Sequence, residues 1–343
     1  MSIRFAAVGF EHGHIYGHIY GQVAVMLAAG AELAACYDDD AGRVARFQRH
    51  FPFGRRADSI AQILEDETID LVVSATVPCE RADLGIAAMR HGKDYMSDKP
   101  AFTDFDQLRR ARQAQAETGR IFSISFSEHL TQKATVKAGR LVEAGAIGQV
   151  VQTSGFGPHR LFGHVQRPDW TFDRRYFGGI INDLASHQIE QFLFFTRSDE
   201  AEVVAATVGN FRFAQYPRMR DFGDLTLRSA HAVGHIRVDW LTPAGLPVWG
   251  DVRLFIVGTR GMIELRKTID IAGRSGESHL FLVDHQGTRY IDCGDTEITY
   301  GRDLIADIRE RTDTAIPQAR CFLASELALQ AEAMAVDLTR LSG

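Results

Sequence analysis

Residues 3–17 read IRFAAVGFEHGHIYG, and this stretch decides how the first part of the chain folds. The run IRFAAVG, residues 3–9, is apolar and ends in glycine, which predicts a buried β-strand followed by a tight loop. Apolar residues then recur at helical spacing and predict a helix that starts near Gly13 and stops at Gly30. These apolar residues are Ile15, Ile19, Val23 and Met26. A strand, a glycine turn and a helix are the parts of a dinucleotide-binding site.

Strands and helices continue to alternate over the first third of the chain. AELAACYDDD gives a second strand that ends in acids, and TIDLVVSATV (68–77) and RIFSISF (120–126) give later ones. Strands separated by helices predict a parallel, doubly wound sheet. Later strands joined by turns predict an open, mostly antiparallel sheet. We therefore predict an NAD(P)-binding Rossmann domain over residues 1–124 and an α+β domain with this open sheet over residues 125–343, to which the family resemblance described below implies that the substrate binds.

Composition excludes several classes of protein. The chain has 343 residues, with 38 Lys and Arg against 44 Asp and Glu, and its arginines are spread along the sequence. Nucleic acid and acidic lipid are therefore not expected as partners. The four cysteines lie far apart and form no C-x-x-C pair, and no apolar run reaches the roughly 18 residues of a membrane span. The first residues show no signal-peptide pattern, so we expect a soluble, cytoplasmic protein.

The loop after the first strand departs from the usual dinucleotide fingerprint, G-x-G-x-x-G. Counted from Gly9, the second and third glycine positions hold Glu11 and His14. We expect His12 and His14 to hydrogen-bond the pyrophosphate or the nicotinamide end of the cofactor, because anions bind at such helix starts. His14 and His18 are also one helical turn apart, a spacing that zinc sites use, but no cysteine and no obvious third ligand accompanies them. We therefore predict no metal.

Asp38 ends the second strand, where an acid accepts hydrogen bonds from the adenosine ribose. Its charge would repel the 2′-phosphate of NADP, so NAD is the predicted cofactor. The alternative is that Asp38, Asp39 and Asp40 cap the following helix, since aspartate is a favourable N-cap residue. Both roles are compatible if Asp40 forms the cap and Asp38 meets the ribose.

Two further motifs carry residues suited to chemistry. Lys99 precedes Pro100, which disfavours helical backbone and holds the lysine at the carboxyl edge of the sheet, where ligands bind. In GGIINDLASHQIEQ, Asp183 and His187 are four residues apart and project from one helix face. A solvated surface lysine and an ordinary pair of helix neighbours are the alternatives.

Together these motifs resemble the glucose-fructose oxidoreductase, inositol dehydrogenase and MocA (GFO/IDH/MocA) family over nearly the whole chain. DYMSDKPAFTDFDQ is similar to the family's strand ending in Glu-Lys-Pro, with Asp98 in place of the glutamate. IGQVV and GGIINDLASHQIEQFLFF are similar to its glycine-rich turn and its D-x-x-x-H helix, and the loop is similar to a branch carrying HxHIYG. The resemblance implies NAD(P) in the first domain, the substrate against the open sheet of the second, and Lys99, Asp183 and His187 at the reacting carbon.

The sequence departs from the family where substrate contacts are expected. Pro78 and Arg81 stand where the family usually has Asn and His, and Glu128 and His129 stand where it has two arginines. The segment PHRLFGHVQRPDWTFDRRYFGG is rich in Arg, His and aromatic residues that suit a sugar pocket, with structural salt bridges as the alternative. The predicted substrate contacts are Arg81, His129, Arg160, Arg167 and Trp170. The predicted cofactor contacts are Gly9, Phe10, Glu11, His12, Gly13, His14, Ile15, Asp38, Ala75, Thr76, Pro78, Asp98 and Lys99.

The leading hypothesis is an NAD-dependent dehydrogenase that acts on a hydroxyl of a sugar, cyclitol or sugar acid. In this hypothesis His187 takes the hydroxyl proton, Lys99 holds the oxygen and Asp183 orients the substrate or the histidine, although Lys99 is an alternative base. The other hypotheses are a redox-neutral NAD-using enzyme, such as an epimerase, lyase or glycosidase, and a non-catalytic ligand sensor. A homodimer or homotetramer through sheet faces is expected, because the helices do not suffice to cover the second sheet.

Overall fold

The fold is described from a computed structural model, which covers residues 2–17, 21–163 and 166–340. Four residues that the sequence analysis names or quotes lie outside this part of the chain: His18, Ile19, His164 and Val165. The described chain forms two compact units. One comprises the residues up to Ser125 with Thr299–Phe322, and the other comprises Phe126–Ile298 with the residues from Leu323 onward.

The first unit contains a fully parallel sheet of six strands. They are β1 (Arg4–Val8), β2 (Glu32–Tyr37), β3 (Arg55–Arg56), β4 (Leu71–Ser74), β5 (Asp94–Asp98) and β6 (Phe122–Ser125). Their order is β3-β2-β1-β4-β5-β6, so the direction of winding reverses between β1 and β4. The predicted doubly wound sheet is confirmed. Ligands of such sheets bind at the carboxyl ends of the strands beside this reversal.

The helix after the first loop begins later than predicted. The first-unit helices up to residue 125 are α1 (Gln22–Ala28), α2 (Ala41–His50), α3 (Ile60–Glu65), α4 (Pro78–Arg90) and α5 (Phe105–Thr118). A 3₁₀ turn at Gly13–Ile15 takes the place of the expected helix start. Gly21, just before α1, lies against the backbone of Gly17, since a Cβ on Gly21 would lie 2.5 Å from the Gly17 nitrogen. The predicted end is confirmed, since Gly30 follows α1 with a φ of 88°.

The second unit contains the predicted large, mostly antiparallel sheet. Its strands are β7 (Val150–Pro158), β8 (Glu202–Gly209), β9 (Phe222–Arg228), β10 (Val233–Asp239), β11 (Arg253–Gly258), β12 (Gly261–Arg266), β13 (His279–Asp284), β14 (Gly287–Ile291) and β15 (Val336–Asp337). Their order is β14-β13-β12-β11-β7-β10-β9-β8-β15. The pairs β7–β10 and β8–β15 are parallel, and the others are antiparallel.

Helices cover one face of this sheet. The helices after residue 125 are α6 (Ser127–Leu130), α7 (Lys133–Glu143), α8 (Arg174–Phe177), α9 (Ser186–Thr196), α10 (Tyr300–Glu310) and α11 (Gln318–Met334), of which α10 and the start of α11 pack with the first unit. Phe195 of α9 packs in a core with Leu254 and Ile256 of β11 and with Ile263 of β12. The last helix, α11, ends at Met334, and the chain after it joins the sheet as β15. Among the described residues, no helix has both the length and the apolarity that crossing a bilayer requires.

Residues 299–322 pack with the first unit, whereas the predicted division gives them to the second domain. The hydroxyl groups of Tyr300 and Ser123 are 2.8 Å apart, and the Gln318 side chain accepts a 2.8 Å hydrogen bond from the Phe122 N–H. Local periodicity predicts that a segment is helical, but it does not say which sheet the helix covers.

Candidate active site

The loop at Gly9 is pressed against the neighbouring strands of the first sheet. The Gly9 N–H donates to Tyr37 O of β2 (3.0 Å), and the His12 N–H donates to Ala75 O beyond β4 (3.1 Å). Gly9 has a φ of 76°, and a Cβ there would lie 2.5 Å from the Thr76 Cβ, so only glycine fits. A Cβ on Gly13 would meet no atom within 4 Å. The loop is therefore seated tightly at its start and open at Gly13, which fits the close backbone approach of a dinucleotide.

The carboxylate of Asp98, at the end of β5, holds both histidines of this loop. His12 Nδ1 lies 3.0 Å from Asp98 Oδ2, and His14 Nδ1 lies 2.9 Å from Oδ1. The Lys99 N–H also donates to Oδ1 (2.8 Å). Because an ionised carboxylate only accepts hydrogen bonds, each Nδ1 donates a proton to it. The Nε2 atom of each ring takes no part in these contacts with Asp98.

Electrostatics keep Asp98 ionised beside a neutral His12. Burial by itself would raise the pKa of Asp98, but His14, Arg81 and His12 outweigh it and hold the pKa well below its usual range. Burial lowers the pKa of His12 to about 4, and the neighbouring His14 acts in the same direction. A fixed anion and a neutral imidazole donor give the loop a defined hydrogen-bonding pattern near neutral pH.

His12, His14 and Asp98 also place three possible metal-ligand atoms within 4.8 Å of one another. The geometry favours hydrogen bonds, because both Nδ1 atoms already contact Asp98 and the Arg81 guanidinium lies 3.2 Å from Oδ2. A cation would have to displace these contacts beside a fixed positive charge. The absence of a metal stays a prediction.

Arg81 is not placed as a substrate contact, and this expectation needs correction. Its side chain is fully buried, and it donates to the carbonyl oxygens of Thr76 (2.8 Å), Lys99 (2.6 Å) and Pro100 (3.1 Å). Because it is held by these carbonyl groups and by Asp98, the Arg81 guanidinium has no accessible surface that could contact a sugar. Arg81 instead holds the turn at Lys99, a residue that is itself only 4% exposed and is joined to Pro100 by a cis peptide bond.

Asp38 closes β2 as predicted, but its carboxylate is already engaged by the protein. Oδ2 accepts the Phe10 N–H (2.7 Å), and Oδ1 accepts the Asp40 N–H (2.8 Å) and Arg43 Nε (2.8 Å). Asp40 forms the predicted helix cap, since its side chain accepts the Arg43 N–H at 2.8 Å. Sequence reasoning missed Arg43, although its place early in α2 puts it beside the strand end.

Arg43 gathers three carboxylates at this end of the sheet. Its guanidinium lies 2.8 Å from Asp38, 2.6 Å from Asp39 and 3.1 Å from Glu11. Glu11 Oε2 is buried and has no hydrogen-bond partner. Burial raises the pKa of Glu11 to about 7, with Asp38 adding to the rise and Arg43 opposing it. When all three acids are ionised, the cluster is net negative.

The other predicted cofactor residues form the walls and core around the loop. Phe10 is 3% exposed and stacks on Phe47, with ring centroids 4.1 Å apart, and Ile15 is fully buried. Pro78 is the first residue of α4, and Thr76 Oγ1 donates to Glu80 (2.7 Å). Phe10 and Ile15 therefore support the loop through packing, and their side chains are not available to a ligand.

In the second unit, Asp183 and His187 lie on one continuous helical segment. A π-helical turn, Ile181–Ala185, carries Asp183 and leads directly into α9, which carries His187. The His187 ring is 3% exposed and meets the Phe126 ring edge-on, with centroids 6.2 Å apart. Single π turns often occur at functional sites.

Arg167 and Asp183, two of the predicted site residues, interact electrostatically within this unit. Burial lowers the pKa of Arg167, and the charge of Asp183 opposes that shift. The guanidinium stacks 4.8 Å above the Trp240 ring and donates to Leu161 O (3.1 Å) and Arg160 O (3.1 Å). Sequence reasoning missed Trp240, which directly follows β10 and has no motif around it.

Two other predicted substrate residues have structural partners instead. Arg160 braces a loop by donating to the carbonyl oxygens of Pro243, Leu246 and Val248. His129 is 7% exposed, and its Nδ1 contacts Glu190 Oε2 at 2.9 Å within the unit. Both side chains are engaged by the protein, and a substrate that used the same atoms would have to break these hydrogen bonds. Trp170 lies partly buried on a 3₁₀ turn, Asp169–Phe172.

A buried polar network supports α9. The sequence did not reveal this network. Lys267 Nζ donates to Glu128 Oε2 (3.1 Å) and to Gln191 Oε1 (2.6 Å), and Gln191 Nε2 donates to His187 O (2.8 Å). Gln188 Nε2 also donates to Glu128 Oε2 (2.8 Å). Glu128, at a family arginine position, thus anchors the helix of His187.

Comparison with known proteins identifies the same family over both units. Residues 3–126 match the model of an oxidoreductase family with an NAD-binding Rossmann fold, and residues 135–264 match that of the GFO/IDH/MocA C-terminal domain. The crystal structure of a proposed oxidoreductase from Erwinia carotovora atroseptica SCRI1043 is 40% identical, with a TM-score of 0.94 over 98% of this chain and 100% of that one.

More distant relatives carry names for their reactions. The scyllo-inositol 2-dehydrogenase (NAD(+)) of Bacillus subtilis strain 168 is 24% identical over 286 residues, which cover 80% of this chain and 79% of that protein. A levoglucosan dehydrogenase, solved in complex with NADH and levoglucosan, has the same fold at 19% identity, with a TM-score of 0.79 over 97% of this chain and 98% of that one. The chain belongs to the GFO/IDH/MocA family of oxidoreductases with an NAD-binding Rossmann fold.

Proposed function

We propose that this protein is an NAD-dependent dehydrogenase for a secondary hydroxyl of a sugar, cyclitol or sugar acid. The observation that carries the proposal is the shared carboxylate of Asp98, which fixes His12, His14 and the Lys99 backbone at one end of the first sheet. One buried anion thereby sets the geometry of the cofactor loop and of the catalytic lysine together.

The cofactor would be held by the loop Gly9–His14 and by the acidic cluster at the end of β2. When bound, NAD supplies the redox chemistry by accepting or returning a hydride. The open space at Gly13 and the Nε2 atoms of the two histidines suit the pyrophosphate and nicotinamide ends. Glu11, with its buried and unpartnered Oε2, suits an adenosine ribose hydroxyl better than Asp38, which has three partners.

NAD is preferred over NADP in this proposal because of charge. Glu11, Asp38 and Asp39 surround the single guanidinium of Arg43. A 2′-phosphate would meet a net negative cluster whenever all three acids are ionised.

For the substrate, we assign a proton acceptor and two positioning groups. A ring nitrogen of His187 takes the proton of the reacting hydroxyl, and Lys99 holds the oxygen or serves as the alternative base. Asp183, with Arg167 beside it, orients the polyol. Scyllo-inositol and levoglucosan, named for the relatives, are both rings that carry several hydroxyl groups, which supports a substrate of this class.

We also infer a homodimer or homotetramer in the cytoplasm. The four cysteines are unpaired, as a reducing compartment requires. Alternate residues of β11 and β13 keep exposed area on one face of the second sheet, among them Phe255, Val257 and Phe281. Such an apolar face favours a twofold contact between copies.

The test is a cofactor titration followed by a polyol screen. Intrinsic fluorescence should report NADH binding, and nicotinamide absorbance should report oxidation of at least one cyclitol, sugar or sugar acid with NAD. Tight NADH binding without turnover in either direction would favour the sensor or the redox-neutral enzyme.

A further inference from the structure

The helix that carries Asp183 and His187 begins without a capping side chain of its own. Ile180 occupies the N-cap position and provides no acceptor for the first N–H groups of the π turn. Such groups need a partner when a helix start is buried. Ile180 and Ile181 are both fully buried, so water is a poor partner here.

Glu332 of α11 supplies that partner from a distant part of the sequence. Its Oε2 accepts the Ile181 N–H at 2.9 Å, and the carboxylate also accepts the Asn182 N–H. Gly179 makes room for it, because a Cβ there would lie 2.5 Å from Oε2 and closer still to the other carboxylate atoms. Gly179, the second glycine of GGIIND, is therefore needed for the close approach of Glu332. The φ of 108° at Gly179 would also strain any other residue at this position.

Charged side chains from the neighbouring elements surround the Glu332 carboxylate. Arg174 of α8 and Arg220 lie near it, and Arg220 is itself paired with Asp337 of β15, with Nη2 2.6 Å from Oδ2. Burial raises the pKa of Glu332 to about 7 and outweighs the opposing effects of the Ile181 N–H, Arg174, the Asn182 N–H and Arg220. The carboxyl group is therefore partly protonated near neutral pH.

We propose that Glu332 is a positioning residue for the reaction, because it holds the π turn that sets the directions of Asp183 and His187. The Asp183 N–H donates to Gly179 O at 2.9 Å, directly beside the two N–H groups that Glu332 accepts. If this turn relaxed toward an ordinary α-turn, residues before and after it would rotate relative to each other by roughly 100°, the angle of one residue. Asp183 and His187 would then no longer share their present orientation.

This inference rests on the proposed function only for its effect on turnover. Its structural part concerns the stability of one turn, which hydrogen–deuterium exchange of the peptide around residues 178–187 measures without any substrate. Glu332→Ala removes the acceptor, and Glu332→Gln keeps an oxygen in nearly the same place. Glu326→Ala, on the same helix, is the matched control.

Glu332→Ala should raise exchange in this peptide about tenfold, the effect of a lost cap, and should lower kcat for the identified polyol with little change in NADH affinity. Glu332→Gln should restore both exchange protection and kcat to near the parent values. Glu326→Ala should match the parent. Equal exchange in Glu332→Ala and the parent would overturn the proposal, as would loss of protection in Glu332→Gln equal to that in Glu332→Ala.

A pH series keeps the proposal testable even if Glu332→Ala does not fold. Opening the turn returns the carboxylate to water, where its pKa is 4.5, whereas in the closed turn the pKa is about 7. A raised pKa means that the closed turn binds the proton more tightly, so protection should fall as pH rises from 4.5 to about 7 and then level off. Glu332→Gln should lack this change, and a parent protein without it would contradict the proposal.

Measurements of kcat distinguish a failure of the proposed substrate site from a failure of the positioning role of Glu332. If exchange responds as expected but His187→Ala and Glu332→Ala both retain the parent kcat, the assignment of the substrate site has failed. If His187→Ala is inactive and Glu332→Ala keeps full kcat, the positioning role of Glu332 has failed.

Discussion

Arg81 and Asp98 form an ion pair whose two side chains are both fully buried, with Nη2 3.2 Å from Oδ2. The arginine also binds the backbone on both sides of the Lys99–Pro100 bond, and the aspartate also binds both loop histidines. One pair of charges therefore connects the cofactor loop, the end of β5 and the start of α4.

Removing the charge of Asp98 should destabilise the first unit. Asp98→Asn leaves the Arg81 guanidinium buried without a counter-ion, and breaking such a pair costs roughly 3–5 kcal/mol of unfolding free energy. Urea denaturation followed by circular dichroism measures this loss. Asp106→Asn, an exposed aspartate on α5, should change stability little. Equal stability of the two variants would contradict the structural role of the pair.

Cofactor preference should follow the acidic cluster around Arg43. Above pH 7, where Glu11 is ionised, we expect NADH to bind at least about tenfold more tightly than NADPH, which corresponds to roughly 1.4 kcal/mol. Asp38→Ala should narrow this preference, because it removes one charge and releases Arg43 toward a 2′-phosphate. Fluorescence titration with both cofactors is the measurement, and Asp58→Ala is the exposed control. An unchanged ratio in Asp38→Ala would mean that the cluster does not face the ribose.

Glu11 should make NADH binding depend on pH. Its pKa of about 7 in the folded protein lies above its ordinary 4.5, so the folded state retains the proton as pH rises between these values. Ionisation above about pH 7 makes the Glu11 carboxylate a stronger acceptor for a ribose hydroxyl, so NADH affinity should rise as pH passes about 7. Glu11→Gln should bind NADH with a flatter pH profile. Parallel profiles for parent and variant would show that Glu11 does not titrate beside the cofactor.

Lys99 and His187 should matter for turnover more than for cofactor binding. Lys99→Ala and His187→Ala are each expected to lower kcat at least about a hundredfold, the low end for a lost acid or base. NADH affinity should change little for His187→Ala, and that variant should also lose the rise of kcat with pH that a histidine base gives near neutrality. His91→Ala, at an exposed position after α4, is the control. Parent-like turnover in both variants would refute the assignment.

Assembly is tested by light scattering at micromolar concentration. The parent should be a dimer or tetramer, and Val151→Glu on the exposed face of β7 should shift it toward the monomer, because it places charge in an apolar contact. Ile271→Glu, on an exposed loop, should leave the mass unchanged. A monomeric parent would exclude the expected assembly.

Local patterns predicted the two sheets and the Asp40 cap, because each depends on residues near one another in sequence, and the resemblance to the family placed Asp98 at a strand end. The same patterns could not reveal that Asp98 binds His12 and His14, since those contacts join residues far apart in the chain. Arg81 was the clearest error. An arginine near a predicted pocket suggests a substrate contact, but the buried carbonyl groups at the Lys99 turn and the anion of Asp98 need a donor more strongly.

The return of residues 299–322 to the first unit bears on how the protein is made. All six strands of the first sheet leave the ribosome long before Tyr300 and Gln318, which bind Ser123 and the Phe122 N–H of the edge strand. While strands β7 to β14 of the second sheet are synthesised, that edge strand lacks these contacts. Domains commonly fold in the order of translation, but here the amino-terminal domain is completed nearly last. A nascent chain interrupted in between would carry a dinucleotide fold that is still open at one edge.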